Sequence, residues 1–300
     1  MRTVQSYEEV EFRTIDGVTL RGALYIGGLN SPALIMTPGF NMTRDAFAPR
    51  VACHLQQQGI TALVYDHRNI GASDGMPRND INPAQQAADY HDALTFLKSD
   101  TRVDPERIGF WGISFSGTVA LAAAALDKRA KAVVTLCPLT NWELDPSRWR
   151  DAMSLAMQDR EAQVNGHTAS SIPMVTAQGY NAAGFLNGMG EDALAYLLEI
   201  GKRSPSFNID TTIQTYYNIM NWSPFKLMKF ISPTPVLVLM AENDKVSPPA
   251  DQRMLICDQI KGPKQVHVVS GKGHLNMIDK DNFESVMDVQ MDFLRQYLCS

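Results

Sequence analysis

The sequence predicts an α/β fold: a doubly wound, mostly parallel eight-stranded sheet, interrupted once by a helical insertion. Short apolar runs of strand length alternate with helically spaced segments along most of the 300-residue chain, and such alternation implies parallel strands joined by crossovers. The alternation stops near residue 141 and resumes near residue 233. We therefore expect a core of residues 1–140 and 233–300, with residues 141–232 inserted as a helical lid or cap.

The elements of the core follow from local patterns. A hairpin is indicated at Asp16-Gly17, a turn dipeptide between two partly alternating runs. The expected strands are Glu9–Ile15, Val18–Ile26, Ala33–Thr37, Ala62–Asp66, Arg107–Ile113, Ala132–Cys137, Pro235–Met240 and Gln265–Ser270. The expected helices are Arg44–Gln58, Pro83–Leu97, Ser116–Leu126, Ala250–Ile260 and Asn282–Leu298.

The insertion shows helical patches at Trp149–Arg160, Glu191–Ile200 and Thr211–Met220, and no clear strand. Three of the four tryptophans fall within it, with many Met, Tyr and Phe residues. It can pack on its own core and on the sheet, and it can also form a lid whose inner face lines an apolar substrate pocket. The two interpretations are compatible.

Composition narrows the function classes. A net charge of −5 without a basic cluster argues against nucleic acid as a partner, and the apolar runs are too short to span a membrane. Four widely spaced cysteines indicate reduced thiols, so we expect a cytoplasmic protein. No metal-ligand spacing and no glycine-rich nucleotide fingerprint is present, so neither a metal nor another cofactor is expected. The sequence does not indicate an oligomeric state.

Ser114 is the predicted nucleophile. A strand runs through Gly112-Ile113-Ser114-Phe115-Ser116 directly into a helix. A serine on so sharp a turn adopts a strained backbone that presents its hydroxyl, and small residues are needed two positions before and after it. Gly112 and Ser116 meet that need, although a glycine is usual at the second position. The helix N-terminus adds N–H groups directed toward the serine.

His274 is the predicted base, because a serine hydroxyl needs one to remove its proton. It lies in Gly271-Lys272-Gly273-His274, after the last expected strand. A histidine flanked by glycine in a loop has little reason to be a packing residue. His267 is the competitor, but its position within the strand suits a structural role.

The expected acid lies in the loop after strand Pro235–Met240. Asp244 has the better position, before a Val-x-Pro lead into a helix, and Glu242 is the alternative. Its carboxylate would orient the imidazole and stabilise the imidazolium. The order Ser, Asp, His along the chain is that of α/β hydrolases.

Acyl transfer also needs N–H donors for the developing oxyanion. We expect one from Phe115, directly after the nucleophile, and one from Phe40 in the loop Pro38-Gly39-Phe40-Asn41. The segment Asp66–Gly75 is expected to brace this loop through buried Asp and Arg side chains, with direct substrate contact by His67 as the less favoured role. Cys137 is expected to be a packing residue.

These motifs together resemble a known family. They are Thr37–Phe40, Asp66–Gly75, Gly112–Gly117, Glu242–Pro248 and Gly273-His274. They resemble the dienelactone hydrolase-like and Xaa-Pro peptidase-like branch of the α/β hydrolases, and within it the fungal secondary-metabolism polyketide transferases and thiohydrolases. The resemblance spans nearly the whole chain. It implies release or transfer of a polyketide-type acyl chain through an acyl-Ser114 intermediate, with a small-molecule or carrier-bound substrate and a synthase acyl-carrier domain as a possible partner.

Two other readings remain open. An enzyme of the same fold could perform non-hydrolytic chemistry, such as cyclisation or C–C cleavage, and the three catalytic residue types do not exclude it. A catalytically silent binding protein is the other, although such proteins usually lack the serine or the histidine. The sequence also leaves open whether water or an alcohol accepts the acyl group.

Overall fold

The elements alternate along the chain as the periodicity predicts. The computed structural model describes residues 6–46, 48–140, 144, 146–183, 190 and 192–299. The strands are β1 (Glu8–Arg13), β2 (Thr19–Tyr25), β3 (Ser31–Thr37), β4 (Thr61–Tyr65), β5 (Val103–Ile113), β6 (Val133–Leu136), β7 (Ser171–Pro173), β8 (Asp210–Thr212), β9 (Val236–Ala241) and β10 (Lys264–Val269). The helices are α1 (Ala48–Gln57), α2 (Pro83–Lys98), α3 (Phe115–Leu126), α4 (Trp149–Val164), α5 (Ala193–Arg203), α6 (Ile213–Met220), α7 (Pro249–Gln252) and α8 (Phe283–Tyr297).

Eight strands form one sheet in the order β1-β2-β4-β3-β5-β6-β9-β10. β2 pairs antiparallel with β1 and with β4, and the remaining pairs, from β4 to β10, are parallel. The predicted mostly parallel eight-stranded sheet is therefore confirmed. Because parallel strands end at the same edge, the loops that follow β3, β5, β6, β9 and β10 gather there.

The sheet is covered on both faces, which explains why its inner strands are apolar throughout. All seven residues of β3 are buried. Leu34 and Met36 pack on one face with residues of α1 and α8, whereas Ile35 packs on the other with residues of α2 and α3. A strand buried on both faces cannot show a polar and apolar alternation, and it therefore appears in the sequence as a short apolar run.

The insertion departs from the sequence prediction in one respect. It contains a two-stranded antiparallel ribbon, in which Ile172 of β7 lies opposite Thr211 of β8, so the expectation of no strand there is wrong. Segments of three residues are too short to show a period. The ribbon also takes up the start of the expected helix Thr211–Met220: Thr212 caps α6, accepting a hydrogen bond from the Thr215 N–H at 3.1 Å.

Two further helices differ in detail. α1 begins at Ala48 and not at Arg44, after a turn in which the Ala46 N–H donates to the Thr43 carbonyl oxygen at 3.1 Å. The expected helix Ala250–Ile260 is a short α7 followed by a π-helical turn, Arg253–Cys257. Phe47 and Glu191, which fall within expected helices, lie outside the described residues. No helix in the described part of the chain is both long and apolar enough to cross a membrane.

Candidate active site

Ser114 lies at the sharp turn between β5 and α3, with φ 56° and ψ −124°. This strained conformation is the one that the sequence predicts at this position. Gly112 is required beside it, because a Cβ on Gly112 would lie 2.3 Å from the Ser116 carbonyl oxygen. The Ser114 N–H donates to the Leu136 carbonyl oxygen of β6 at 2.8 Å, which ties the turn to the neighbouring strand.

The structure brings Ser114, His274 and Asp244 together, although they come from three separate loops. The Ser114 hydroxyl lies 2.7 Å from Nε2 of His274. Nδ1 of the same imidazole lies 2.8 Å from Oδ2 of Asp244. The side chain of Asp244 is completely buried and that of His274 is 8% exposed. Because the carboxylate accepts, Nδ1 is the N–H donor in this contact, and Nε2 presents its lone pair to the hydroxyl.

The other oxygen of Asp244 is held by the main chain. Its Oδ1 accepts hydrogen bonds from the Val246 N–H at 2.9 Å and the Ser247 N–H at 2.8 Å. Glu242, the alternative acid, instead accepts the Gly271 N–H at 2.8 Å. Glu242 therefore braces the loop that carries His274, while Asp244 contacts the imidazole.

Cys137 directly follows β6, lies beside this group and is fully buried. Its sulfur, the Asp244 carboxylate and the His274 imidazole lie within 4.8 Å of one another. Burial and the adjacent carboxylate raise the pKa of the Cys137 thiol well above its usual value, so the thiol stays protonated. A protonated thiol packed beside the carboxylate fits the expected packing role, and the expected absence of a metal stays a prediction.

The loop after β3 passes directly over Ser114. A Cβ on Gly39 would lie 3.5 Å from Cβ of Ser114, which is ordinary van der Waals contact, so the main chain at Gly39 lies next to the nucleophile. Phe40 follows, and its ring packs edge-on against that of Phe115, with centroids 5.2 Å apart. The two expected oxyanion donors thus belong to neighbouring segments beside the Ser114 hydroxyl.

Ser116 explains why a serine can replace the usual glycine in this turn. Its buried hydroxyl donates to the Pro38 carbonyl oxygen and lies 3.1 Å from Nε2 of His67. Since the hydroxyl donates to Pro38, Nε2 of His67 carries the proton that it shares with Ser116. Burial lowers the pKa of His67 to about 3, which keeps the ring neutral. His67 therefore braces the site, in the role that the sequence favours.

The remainder of segment Asp66–Gly75 also acts as a brace. Oδ1 of Asp66 accepts the Arg44 N–H at 2.7 Å and Oδ2 accepts the Ala72 N–H at 2.9 Å. Arg68 donates from Nε to the buried carboxylate of Asp89 at 2.9 Å. The Asp66 contacts hold the turn after β4 against the end of the loop that leads to α1, and the Arg68 contact holds the same turn against α2.

A cavity of about 800 Å³ opens onto Ser114 and His274. Its wall near Ser114 is largely apolar, and much of it comes from the insertion, including Met174, Tyr216 and Ile219. Charged side chains lie elsewhere on its lining, among them Arg50, Glu199, Arg203 and Lys280. A cavity of this size accommodates a medium-length acyl chain in contact with the insertion.

One residue of the site is not singled out by the sequence. Asn41, directly after Phe40, is 1% exposed and has φ 55°. Its amide bonds to the main chain of the insertion, as described below. The available signal is an asparagine after Gly-Phe in a loop, since asparagine tolerates the left-handed region better than most residues. Nothing local indicates which distant segment its side chain would meet.

Comparison with known proteins places this fold and these loops in a family. Residues 32–281 match the model of a family described as the alpha/beta hydrolase fold. A thiohydrolase of Eupenicillium brefeldianum is 43% identical over 297 residues, covering 98% of this chain and 96% of the relative. The polyketide transferase af380 of Aspergillus fumigatus is 41% identical over 292 residues, covering 97% and 98%.

Solved structures give the same result. The α/β hydrolase GrgF from Penicillium is 38% identical, with a TM-score of 0.89 and coverage of 98% of this chain and 100% of that one. DcsB, solved in complex with its substrate analogue, is 35% identical, with a TM-score of 0.92 and coverage of 97% and 99%. The chain therefore belongs to the α/β hydrolase family.

Proposed function

We propose that this protein is a serine-dependent acyl-transfer enzyme that takes an acyl chain from a thioester through an acyl-Ser114 intermediate. The observation that carries the proposal is the series of hydrogen bonds from the Ser114 hydroxyl through His274 to Asp244, at 2.7 and 2.8 Å, opening onto the apolar cavity. Relatives named thiohydrolase and polyketide transferase support a thioester donor with a polyketide-type acyl group.

In the first half-reaction, Nε2 of His274 takes the hydroxyl proton as Ser114 Oγ attacks the thioester carbonyl carbon. The carbonyl oxygen becomes an oxyanion, for which the N–H groups of Phe40 and Phe115 are the proposed donors. Collapse of the tetrahedral intermediate breaks the C–S bond. His274 returns its proton to the departing sulfur, and the acyl group remains on Ser114.

In the second half-reaction, an acceptor O–H gives its proton to His274 and attacks the acyl-enzyme carbonyl carbon. Ser114 then leaves as the hydroxyl, protonated by His274. With water the product is a free acid, and with an alcohol it is an ester or a lactone. Throughout, Asp244 stabilises the imidazolium and holds its orientation.

The donor can be a free or a carrier-bound thioester, and a synthase acyl-carrier domain is the partner that we infer for the bound form. None of the four cysteines, all within the described residues, forms a disulfide; three are buried and Cys299 is half-buried. Reduced cysteines suit a reducing compartment, which supports the cytoplasmic location that we propose.

Intact-mass spectrometry tests the proposal directly. The wild type, Ser114→Ala and the control Ser154→Ala, at an exposed serine of α4, are incubated with a fluorophosphonate and then with acyl thioesters and oxygen esters. We expect one adduct on the wild type and on Ser154→Ala and none on Ser114→Ala, with acyl-enzyme formed preferentially from medium or long thioesters. A well-folded wild type without any adduct would contradict the proposal and favour the silent or non-hydrolytic readings.

A further inference from the structure

The side-chain amide of Asn41 is fully engaged by segments that are distant in the sequence. Its Nδ2 donates to the Asn208 carbonyl oxygen at 2.7 Å and to the Asp210 carbonyl oxygen at 3.1 Å. Its Oδ1 accepts from Nδ2 of Asn79 at 3.0 Å. Two carbonyl acceptors on one side and an amide donor on the other fix which end of the amide is nitrogen.

The two carbonyl acceptors of the Asn41 amide are main-chain groups of the insertion. Asp210 begins β8, and the neighbouring Ile209 carbonyl oxygen accepts the Met174 N–H at 3.0 Å. Asn79 also contacts the ribbon, because its carbonyl oxygen accepts the Thr212 N–H at 3.1 Å. One asparagine side chain thus joins the loop over Ser114 to the β7–β8 ribbon and to the loop before α2.

This connection bears on the orientation of the Phe40 N–H. The Gly39 carbonyl oxygen, in the same peptide unit, accepts the Met42 N–H at 3.1 Å. This bond closes a turn over residues 39–42. The N–H and C=O of a trans peptide point in opposite directions, so the bond directs the Phe40 N–H away from the turn. Asn41 lies inside that turn, and its positive φ of 55° is held by the three side-chain bonds.

We propose that Asn41 is a positioning residue for acyl transfer: it ties the loop over Ser114 to the insertion and thereby fixes the direction of the Phe40 N–H. The role rests on the proposed function, in which Phe40 is an oxyanion donor. It gives the insertion a second task besides lining the cavity. The contact between Asn41 and the β7–β8 ribbon then fixes the conformation of the loop over Ser114, and acylation depends on that contact.

Two variants separate the side-chain bonds from the backbone geometry. Asn41→Asp preserves size, but it replaces the NH₂ group with an oxygen that faces two carbonyl oxygens. Asn41→Gly removes the side chain and still permits a positive φ. The matched control is Asn30→Asp, since Asn30 also has a positive φ, of 53°, but lies exposed in the turn before β3.

Active sites are counted first by the endpoint of fluorophosphonate labelling. The acylation rate constant is then measured per active site with a thioester, together with the affinity for a trifluoromethyl ketone, which forms an oxyanion on Ser114. Removing one oxyanion donor costs about 10²–10³-fold, and misplacement by about 1 Å costs up to about 10²-fold. For both Asn41 variants we expect losses of about 10- to 100-fold in both quantities, with KM changed less than about threefold.

A purely structural role would lower the number of active sites or the melting temperature and leave both values per active site unchanged. Wild-type values in Asn41→Gly, with wild-type labelling intact, would overturn the role of Asn41 alone. If Asn41→Asp does not fold, Asn41→Gly decides. If neither folds, Asn79→Asp decides, since it replaces the donor to Oδ1 of Asn41 with an oxygen and leaves Asn41 itself unchanged. A wild type that forms neither adduct nor acyl-enzyme would overturn the proposed function, and this role with it.

Discussion

The buried hydroxyl of Ser116 donates a hydrogen bond to the main-chain carbonyl oxygen of Pro38. This bond links the turn that carries Ser114 to the loop that carries Phe40. The imidazole of His67 completes the link from the far side, 3.1 Å from the same hydroxyl. Ser116 therefore does more than fit into the space of the usual glycine, because its hydroxyl ties two parts of the site together.

Replacing Ser116 by alanine should weaken both stability and acylation. It leaves the Pro38 carbonyl oxygen and Nε2–H of His67 without the hydroxyl between them, and an unsatisfied buried polar group costs about 1–3 kcal/mol. We expect the free energy of unfolding in urea to fall by that amount and the acylation rate to fall about tenfold. The control is Ser285→Ala, at an exposed serine of α8. Equal unfolding curves for Ser116→Ala and wild type would show that the link does not contribute to the free energy of unfolding.

The two acidic residues after β9 should respond very differently to neutralisation. Asp244→Asn removes the charge beside Nδ1 of His274, and we expect turnover to fall by about 10⁴-fold. Glu242→Gln retains an oxygen for the Gly271 N–H, and we expect a loss of less than about tenfold. Steady-state kinetics with one thioester substrate measures both. The reverse ranking would move the acid to Glu242.

The neutrality of buried His67 should appear as a pH dependence of stability. Its folded pKa of about 3 lies below the ordinary value near 6.5, so below pH 6.5 the unfolded chain binds a proton that the folded protein does not. Stability present above pH 6.5 is therefore lost as the pH falls toward 3. Between pH 7 and pH 5, the wild type should lose about 2 kcal/mol more than His67→Gln, whose side chain can still donate to Ser116.

Urea unfolding of both proteins at the two pH values measures this difference, and other titrating groups largely cancel between them. Equal losses in wild type and His67→Gln would mean that His67 binds its proton as readily in the folded protein as in the unfolded chain.

The cavity wall formed by α6 should determine which acyl-chain lengths the enzyme prefers. Ile219 is 5% exposed and lines the cavity. Ile219→Trp fills part of that volume, and we expect kcat/KM for long acyl thioesters to fall at least about tenfold relative to short ones, since a pocket discriminates by about 1–3 kcal/mol for a misfitting group. Ile219→Val is the control and should leave the ratio near that of wild type. An unchanged ratio in Ile219→Trp would place the acyl chain elsewhere in the cavity.

The fold could be predicted from the sequence because each of its main elements has a local sequence pattern. Buried parallel strands must be short apolar runs, and amphipathic crossovers must show helical spacing. The sharp turn at Ser114 and the glycine-rich approach to His274 are local as well. Once the strands are parallel, the loops that follow them meet at one edge, so separate stretches of sequence converge on one site. The catalytic roles of Ser114, His274 and Asp244 stay predictions until they are tested by mutation.

The short β7–β8 ribbon could not be predicted, because three residues in each strand show no period. The partner of Glu242 was equally hidden, because its carboxylate meets a main-chain N–H in a different loop. In both cases the structure depends on contacts between segments that are far apart along the chain.

The sequence by itself determined the alternation of strands and helices along the core, the strained serine turn and the candidate chemistry, since these depend on backbone preference and on side-chain type within a few residues. The tertiary structure decided which distant polar groups meet to hold the site in place. The hydroxyl of Ser116 finds its acceptor 78 residues away, and the amide of Asn41 finds one of its acceptors 167 residues away. Such pairs form because burial leaves each polar group in need of a partner, and the packing of the whole chain determines which partner lies within reach.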